Sequence, residues 1–149
     1  RVLSTAEDVR KLVAAVPSAS NGLPLCAGSF GARGDNNLVA MAKEFGDRIH
    51  FVHLRNIKRE SDGSFYESAH LEGDNDIVGL IAALLAVEAE DTSGQRAIAM
   101  RPDHGHTLTS EQADPRLKPG YSYGGRMKGL AELRGVIHAL TALGTGGRP

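Results

Sequence analysis

From Thr5 to Val16 the apolar residues Val9, Leu12, Val13 and Val16 recur three or four apart. Thr5 stands at a capping position and Asp8 at the acidic capping-box position, so this stretch predicts a helix. Pro17 and the run Ser18-Ala19-Ser20-Asn21-Gly22 stop it. Leu23-Pro24-Leu25-Cys26 reads as a short buried strand that enters a glycine-bearing loop over 27–34. The next helix takes Asp35 or Asn36 as its cap, turns Leu38, Ala42 and Phe45 inward, and stops at Gly46. Ile49 to Leu54 alternates like a strand and passes into the polar residues Arg55, Asn56 and Lys58. A long polar loop is expected over 59–75, holding Phe65, Tyr66 and His70. A helix over 76–89 is built on Ile77, Leu80, Ile81, Leu84 and Leu85, and a strand follows over 97–100, ending at Arg101-Pro102. A loop through Pro119-Gly120 leads to a last helix over 126–143, with Met127, Leu130, Leu133, Ile137 and Leu140 at helical spacing.

Helices thus alternate with three strands, which predicts an α/β fold with a parallel sheet. Three strands cannot close a barrel, which needs eight. They make either a small open sheet or the later βα units of an incomplete (β/α)₈ barrel. In both, chemistry gathers at the C-terminal ends of the strands. The length of 149 residues suits one domain, so 1–149 is read as a single partial barrel domain. The chain begins with Arg1, and the expectation is that N-terminal units are absent.

Composition narrows the class without choosing a function. Apolar content of 41% with charged content of 23% is that of a globular protein. A formal charge of −1 gives no footprint for nucleic acid or an anionic membrane surface. The apolar stretch from Ile77 to Val87 is too short to span a bilayer, and no secretory leader is visible. Cys26 is the sole cysteine, which excludes an internal disulfide. A cytoplasmic enzyme, or a piece of one, is expected.

The strand ends carry the candidate chemistry. Cys26 closes the first, His53 ends the second ahead of Arg55 and Asn56, and Asp103-His104 follow the third. A thiolate, an imidazole and a carboxylate on one rim suit a borderline divalent ion better than Mg²⁺ or Ca²⁺. Each residue also has a plain structural reading. Cys26 could pack as a small hydrophobe, His53 could bond to backbone, Asp103 could cap a loop, and His104 could sit on the surface.

Longer motifs go further. Arg101-Pro102-Asp103-His104-Gly105-His106, Pro119-Gly120-Tyr121-Ser122 and Gly125-Arg126-Met127-Lys128-Gly129-Leu130-Ala131-Glu132-Leu133-Arg134-Gly135 are similar to the end of the mannonate dehydratase family. So are Phe51-Val52-His53-Leu54-Arg55-Asn56, Gly63-Ser64-Phe65, His70-Leu71-Glu72-Gly73-Asp74, and Cys26 with Gly28-Ser29. The resemblance runs from about Leu23 to Leu140, with the motifs in order.

It implies a xylose-isomerase-like (β/α)₈ barrel, Mn²⁺ or Fe²⁺ as cofactor, and dehydration of D-mannonate to 2-keto-3-deoxy-D-gluconate in hexuronate breakdown. The family's ligands are a Cys, two His and an Asp. Cys26, His53 and Asp103 match three of these, and the other histidine and an arginine of the site are expected upstream. On this reading His104 and Tyr121 share the proton transfers, with Asp103 as a further participant. Arg55 and Asn56 hold the sugar acid, and His70 belongs to a lid or is an ordinary loop residue.

Two rivals stand beside this. A barrel isomerase or epimerase would share the metal site but add a lysine or second carboxylate at the rim, and no lysine ends a strand here. An inert barrel fragment would only associate, with itself or with a missing N-terminal portion, through its open sheet edges.

Overall fold

The computed structural model describes residues 3–92 and 96–144; Arg1 lies outside them. Three strands, β1 (Leu23–Cys26), β2 (Ile49–His53) and β5 (Ala99–Arg101), form one sheet in the order β1-β2-β5, with both pairings parallel. The α/β expectation with a parallel sheet therefore holds among the described residues. The register aligns Leu25 with Val52 and Val52 with Met100, while Cys26 lies opposite His53 and His53 opposite Arg101. Side chains alternate across a pleat. Leu25 and Val52 accordingly enter the core, while Pro24, Ala99 and Arg101 stay exposed and Cys26 and His53 are half-buried. His50 is skipped where the register shifts between Leu23 and Pro24, so Ile49 and Val52 are both buried despite their odd spacing.

Helix α1 (Ala6–Ala15) begins at Thr5, whose hydroxyl accepts from the Asp8 amide while the Asp8 carboxylate accepts from the Thr5 amide. The expected capping box is present. Helix α3 (Leu38–Glu44) is capped by Asn37 rather than by Asp35 or Asn36. Asn36 instead donates to the carbonyls of Ser4 and Phe30. Between them, the expected loop after β1 contains one short helix, α2 (Ala27–Gly31). Helix α4 (Ile77–Ala89) is capped by Asp76 and buries Ile77, Leu80, Ile81, Leu84 and Val87. These side chains join Leu25, Val52, Met41, Phe45 and Leu133 in one core.

Two differences from expectation matter for the site. The 59–75 stretch is not a plain loop: β3 (Ile57–Arg59) and β4 (Phe65–Glu67) pair antiparallel as a small hairpin, with Ile57 opposite Glu67. The last helix, α5 (Tyr123–Ala142), starts three residues earlier than expected, at the Ser122 cap. Its inner face is made by Gly125, Gly129 and Leu133, while Met127 is exposed. No helix among the described residues is long and apolar enough to cross a membrane.

Candidate active site

Parallel strands deliver their last residues to one rim, and that geometry gathers the first group. Cys26 ends β1, His53 ends β2, and Asp103 lies two residues beyond β5. Their ligand atoms lie within 4.8 Å of one another. His53 Nε2 is 3.7 Å from Asp103 Oδ1. Ligand atoms held by one ion at about 2.0–2.3 Å stand at most roughly 4.6 Å apart, so a small side-chain adjustment lets the three share one ion. The donor set of sulfur, nitrogen and oxygen fits Mn²⁺, Fe²⁺ or another borderline divalent ion.

Electrostatics favour the ligand state of His53. Burial pushes its pKa below the ordinary histidine value, and Arg101, His104 and Arg55 push the same way against the pull of Asp103. A neutral imidazole is the form that binds a metal. Arg101 Nη2 donates to Asp103 Oδ1 at 2.9 Å and steadies that carboxylate.

The second group stands beside the first. His104 Nε2 is 3.7 Å from Asp103 Oδ2, and the His104 ring lies 4.7 Å from the Tyr121 ring, tilted by 52°. Tyr121 reaches this position because the chain turns at Gly120, where φ is +83°. Such a φ suits glycine. The Gly105 amide then donates to the Gly120 carbonyl at 2.9 Å, bridging the two loops. Glu111 fixes the start of α5 by accepting from the Ser122 hydroxyl and from the Gly124 amide.

Glu67, which sequence reasoning missed, connects His104 to Arg55. Its Oε1 is 2.9 Å from His104 Nδ1, an off-axis contact. Arg55 donates through Nε to Oε2 at 3.0 Å and through Nη2 to Oε1. Burial alone would raise the Glu67 pKa, but the hydrogen bonds from Arg55, with the His104 ring close by, outweigh it and hold Glu67 below the usual glutamate value. The adjacent β-favouring aromatics Phe65 and Tyr66 inside a polar stretch were the available signal for a strand carrying it.

Arg55 and Asn56 differ from each other. Arg55 has two nitrogens engaged with Glu67 and its guanidinium carbon 5.8 Å from the Phe65 ring centre. Asn56 is only 2% exposed. Its amide nitrogen donates to the His70 and Asn75 carbonyls, and its oxygen accepts from the Ile57 and Asn75 amides. Both hydrogens and both lone pairs are used. The expected role of Asn56 in holding substrate is therefore replaced by a structural one. His70 is not on a lid either. It is buried against Gly129, where an added Cβ would meet the ring at 2.1 Å.

Comparison with known proteins gives this geometry a family context. The family model described as D-mannonate dehydratase (UxuA) matches residues 1–145. A mannonate dehydratase of Saccharophagus degradans is 70% identical over 146 residues, covering 96% of this chain and 37% of that protein. Mannonate dehydratase 2 of Agrobacterium fabrum is 55% identical over 142 residues, covering 94% of this chain and 36% of that protein. The crystal structure of mannonate dehydratase from Streptococcus suis serotype 2 superposes with a TM-score of 0.81 at 28% identity, over 97% of this chain and 40% of that one. The chain thus spans little more than a third of the length of these curated relatives.

Proposed function

Since the chain belongs to the D-mannonate dehydratase family, we propose that it supplies the later βα units of a (β/α)₈ barrel hydro-lyase. The whole enzyme would convert D-mannonate to 2-keto-3-deoxy-D-gluconate in hexuronate breakdown. Residues 1–149 then form one partial barrel domain, completed by N-terminal units or by association. The observation that carries this reading is the convergence of Cys26, His53 and Asp103 within 4.8 Å, beside the His104–Tyr121 pair.

The reaction removes the proton from C2, expels the C3 hydroxyl as water, and leaves an enol that rearranges to the 2-keto acid. The C2 proton is weakly acidic because negative charge collects on the neighbouring carboxylate as it leaves. Cys26, His53 and Asp103 would hold Mn²⁺ or Fe²⁺, whose Lewis acidity supplies stabilisation of that charge. His104 and Tyr121 carry the two proton transfers between them, one from C2 and one to the departing hydroxyl. Asp103, whose Oδ2 lies 3.7 Å from His104 Nε2, is a further participant in these transfers. Arg55 keeps Nη1 for the substrate carboxylate, while its other nitrogens hold Glu67.

Assay of the full-length enzyme with D-mannonate tests this. Formation of a 2-keto-3-deoxy acid that depends on added Mn²⁺ or Fe²⁺ is expected. An isomeric sugar acid as the product would favour the barrel isomerase reading instead.

A further inference from the structure

We propose that Arg101 is a substrate-binding residue whose guanidinium holds the carboxylate of the sugar acid beside the Cys26–His53–Asp103 cluster. The inference deepens the dehydration reading and rests on it for the identity of the acid. In a parallel sheet, residues aligned in register turn their side chains to the same face. Cys26 lies opposite His53 and His53 opposite Arg101, so thiol, imidazole and guanidinium form one row across the sheet. That row stands at the C-terminal ends of the three strands. As ligands, the Cys26 thiolate and the Asp103 carboxylate together cancel the charge of a divalent ion, and an imidazole adds none. Such a centre offers an anion a Lewis acid without net positive charge. A sugar acid brings a carboxylate on which negative charge grows as the C2 proton leaves, so a further cation is needed beside the ligands.

Arg101 is held where that cation is needed. Its side chain is 58% exposed on the face that the strand-end ligands share. Nη2 donates to Asp103 Oδ1 at 2.9 Å, the same oxygen that lies 3.7 Å from His53 Nε2. The guanidinium carbon stands 5.8 Å from the centre of the Phe51 ring, within cation–π range. Phe51 in turn meets the His53 ring edge-on, with ring centres 5.0 Å apart. Asp103 and Phe51 thus fix the guanidinium against the cluster, while its Nε and Nη1 have no hydrogen-bond partner among the described residues. With Asp103 counted toward the ion, the charge of Arg101 is left for the substrate. Arg55 differs, because Glu67 engages two of its nitrogens and balances its charge, and its side chain is only 12% exposed. Its Nη1 can add a hydrogen bond to the acid, but the unbalanced charge belongs to Arg101. No lysine ends a strand of this sheet to share that task.

The test is calorimetric binding of D-mannonate and of its neutral analogue D-mannonamide to metal-loaded, full-length enzyme. A His104→Gln, Tyr121→Phe background removes both proton carriers, so that the acid is not consumed. In that background the acid should bind more tightly than the amide. Adding Arg101→Gln should weaken the acid by about 10- to 100-fold, leave the amide within about twofold, and leave the metal content unchanged. Arg101→Lys, which keeps the charge but not the planar fork, should recover part of the loss. An acid bound no better than the amide before Arg101 is changed would overturn the proposal. So would an unchanged affinity for the acid in Arg101→Gln, an equal loss for the amide, or loss of the ion, which would make Arg101 a support of Asp103 alone. If the wild-type enzyme fails to dehydrate D-mannonate, the substrate reading falls while the comparison of acid with amide still decides the role of Arg101.

Discussion

His53, Asn56 and His70 occupy neighbouring parts of the chain, yet burial gives each a different task. His53 is half-buried at a strand end, with its pKa depressed, so it is neutral and ligand-competent near pH 7. Asn56 is a fully bonded tie between the hairpin and the entry to α4. Removing its amide leaves buried backbone groups unpaired, so Asn56→Ala should destabilise the full-length enzyme by about 3 kcal/mol. Chemical denaturation measures this, and a change below about 0.5 kcal/mol would contradict the structural role, since that is the range of an ordinary surface substitution. His70 has its pKa pushed down by burial, with Glu132 only partly opposing. A histidine whose folded pKa is lowered takes up its proton more readily when unfolded. Its contribution to stability is therefore complete above the ordinary value of about 6.5 and is lost as pH falls below it. Urea midpoints should drop between pH 7.5 and 5.5, and His70→Gln should flatten that drop. An unchanged slope in the variant would assign the pH dependence to other groups.

At the scale of elements, helix α5 depends on a glycine face that the apolar periodicity did not reveal. Leu130, Leu133, Ile137 and Leu140 suggested a leucine-type seam with Met127, but the closest approach is at Gly129, against the His70 ring. Gly129→Ala should displace His70 and lower the melting temperature, although alanine is the better helix former in an isolated helix. A neutral or stabilising result in a thermal melt would mean that the His70 ring can move aside. Helix α4 is the opposite case. Its apolar residues are buried as its pattern predicts, so Leu84→Ala should cost about 3 kcal/mol by cavity formation.

The same contrast marks what the sequence made legible. Strands β1 and β2, helices α1 and α4, and the convergence of Cys26, His53 and Asp103 follow from period and from strand-end position. The β3–β4 hairpin did not, because three-residue strands in a polar stretch leave almost no alternation to read. Glu67 was hidden with it, and the burial of Asn56 was hidden because an asparagine after a strand looks like any rim residue. Short polar elements are fixed by tertiary partners, which single-chain patterning does not encode.

For the molecule as a whole, the rim chemistry sits on a sheet with one covered face. Helices pack over Leu25 and Val52, while Pro24, Ala99 and Arg101 on the opposite face are exposed. A barrel interior would be lined by that exposed face, in keeping with the partial-barrel reading. The 149-residue chain alone is accordingly expected to be inactive on D-mannonate and to run above its monomer mass of 15.8 kDa in size-exclusion light scattering. A monomeric, active chain would contradict that reading. The metal site remains the centre of the account, and metal analysis of the full-length enzyme tests it most directly. Wild-type protein loaded with Mn²⁺ or Fe²⁺ and freed of excess should retain the ion, whereas Cys26→Ala combined with Asp103→Ala should lose both the ion and turnover. Full metal retention and full activity in the double variant would contradict the assignment of these residues as ligands.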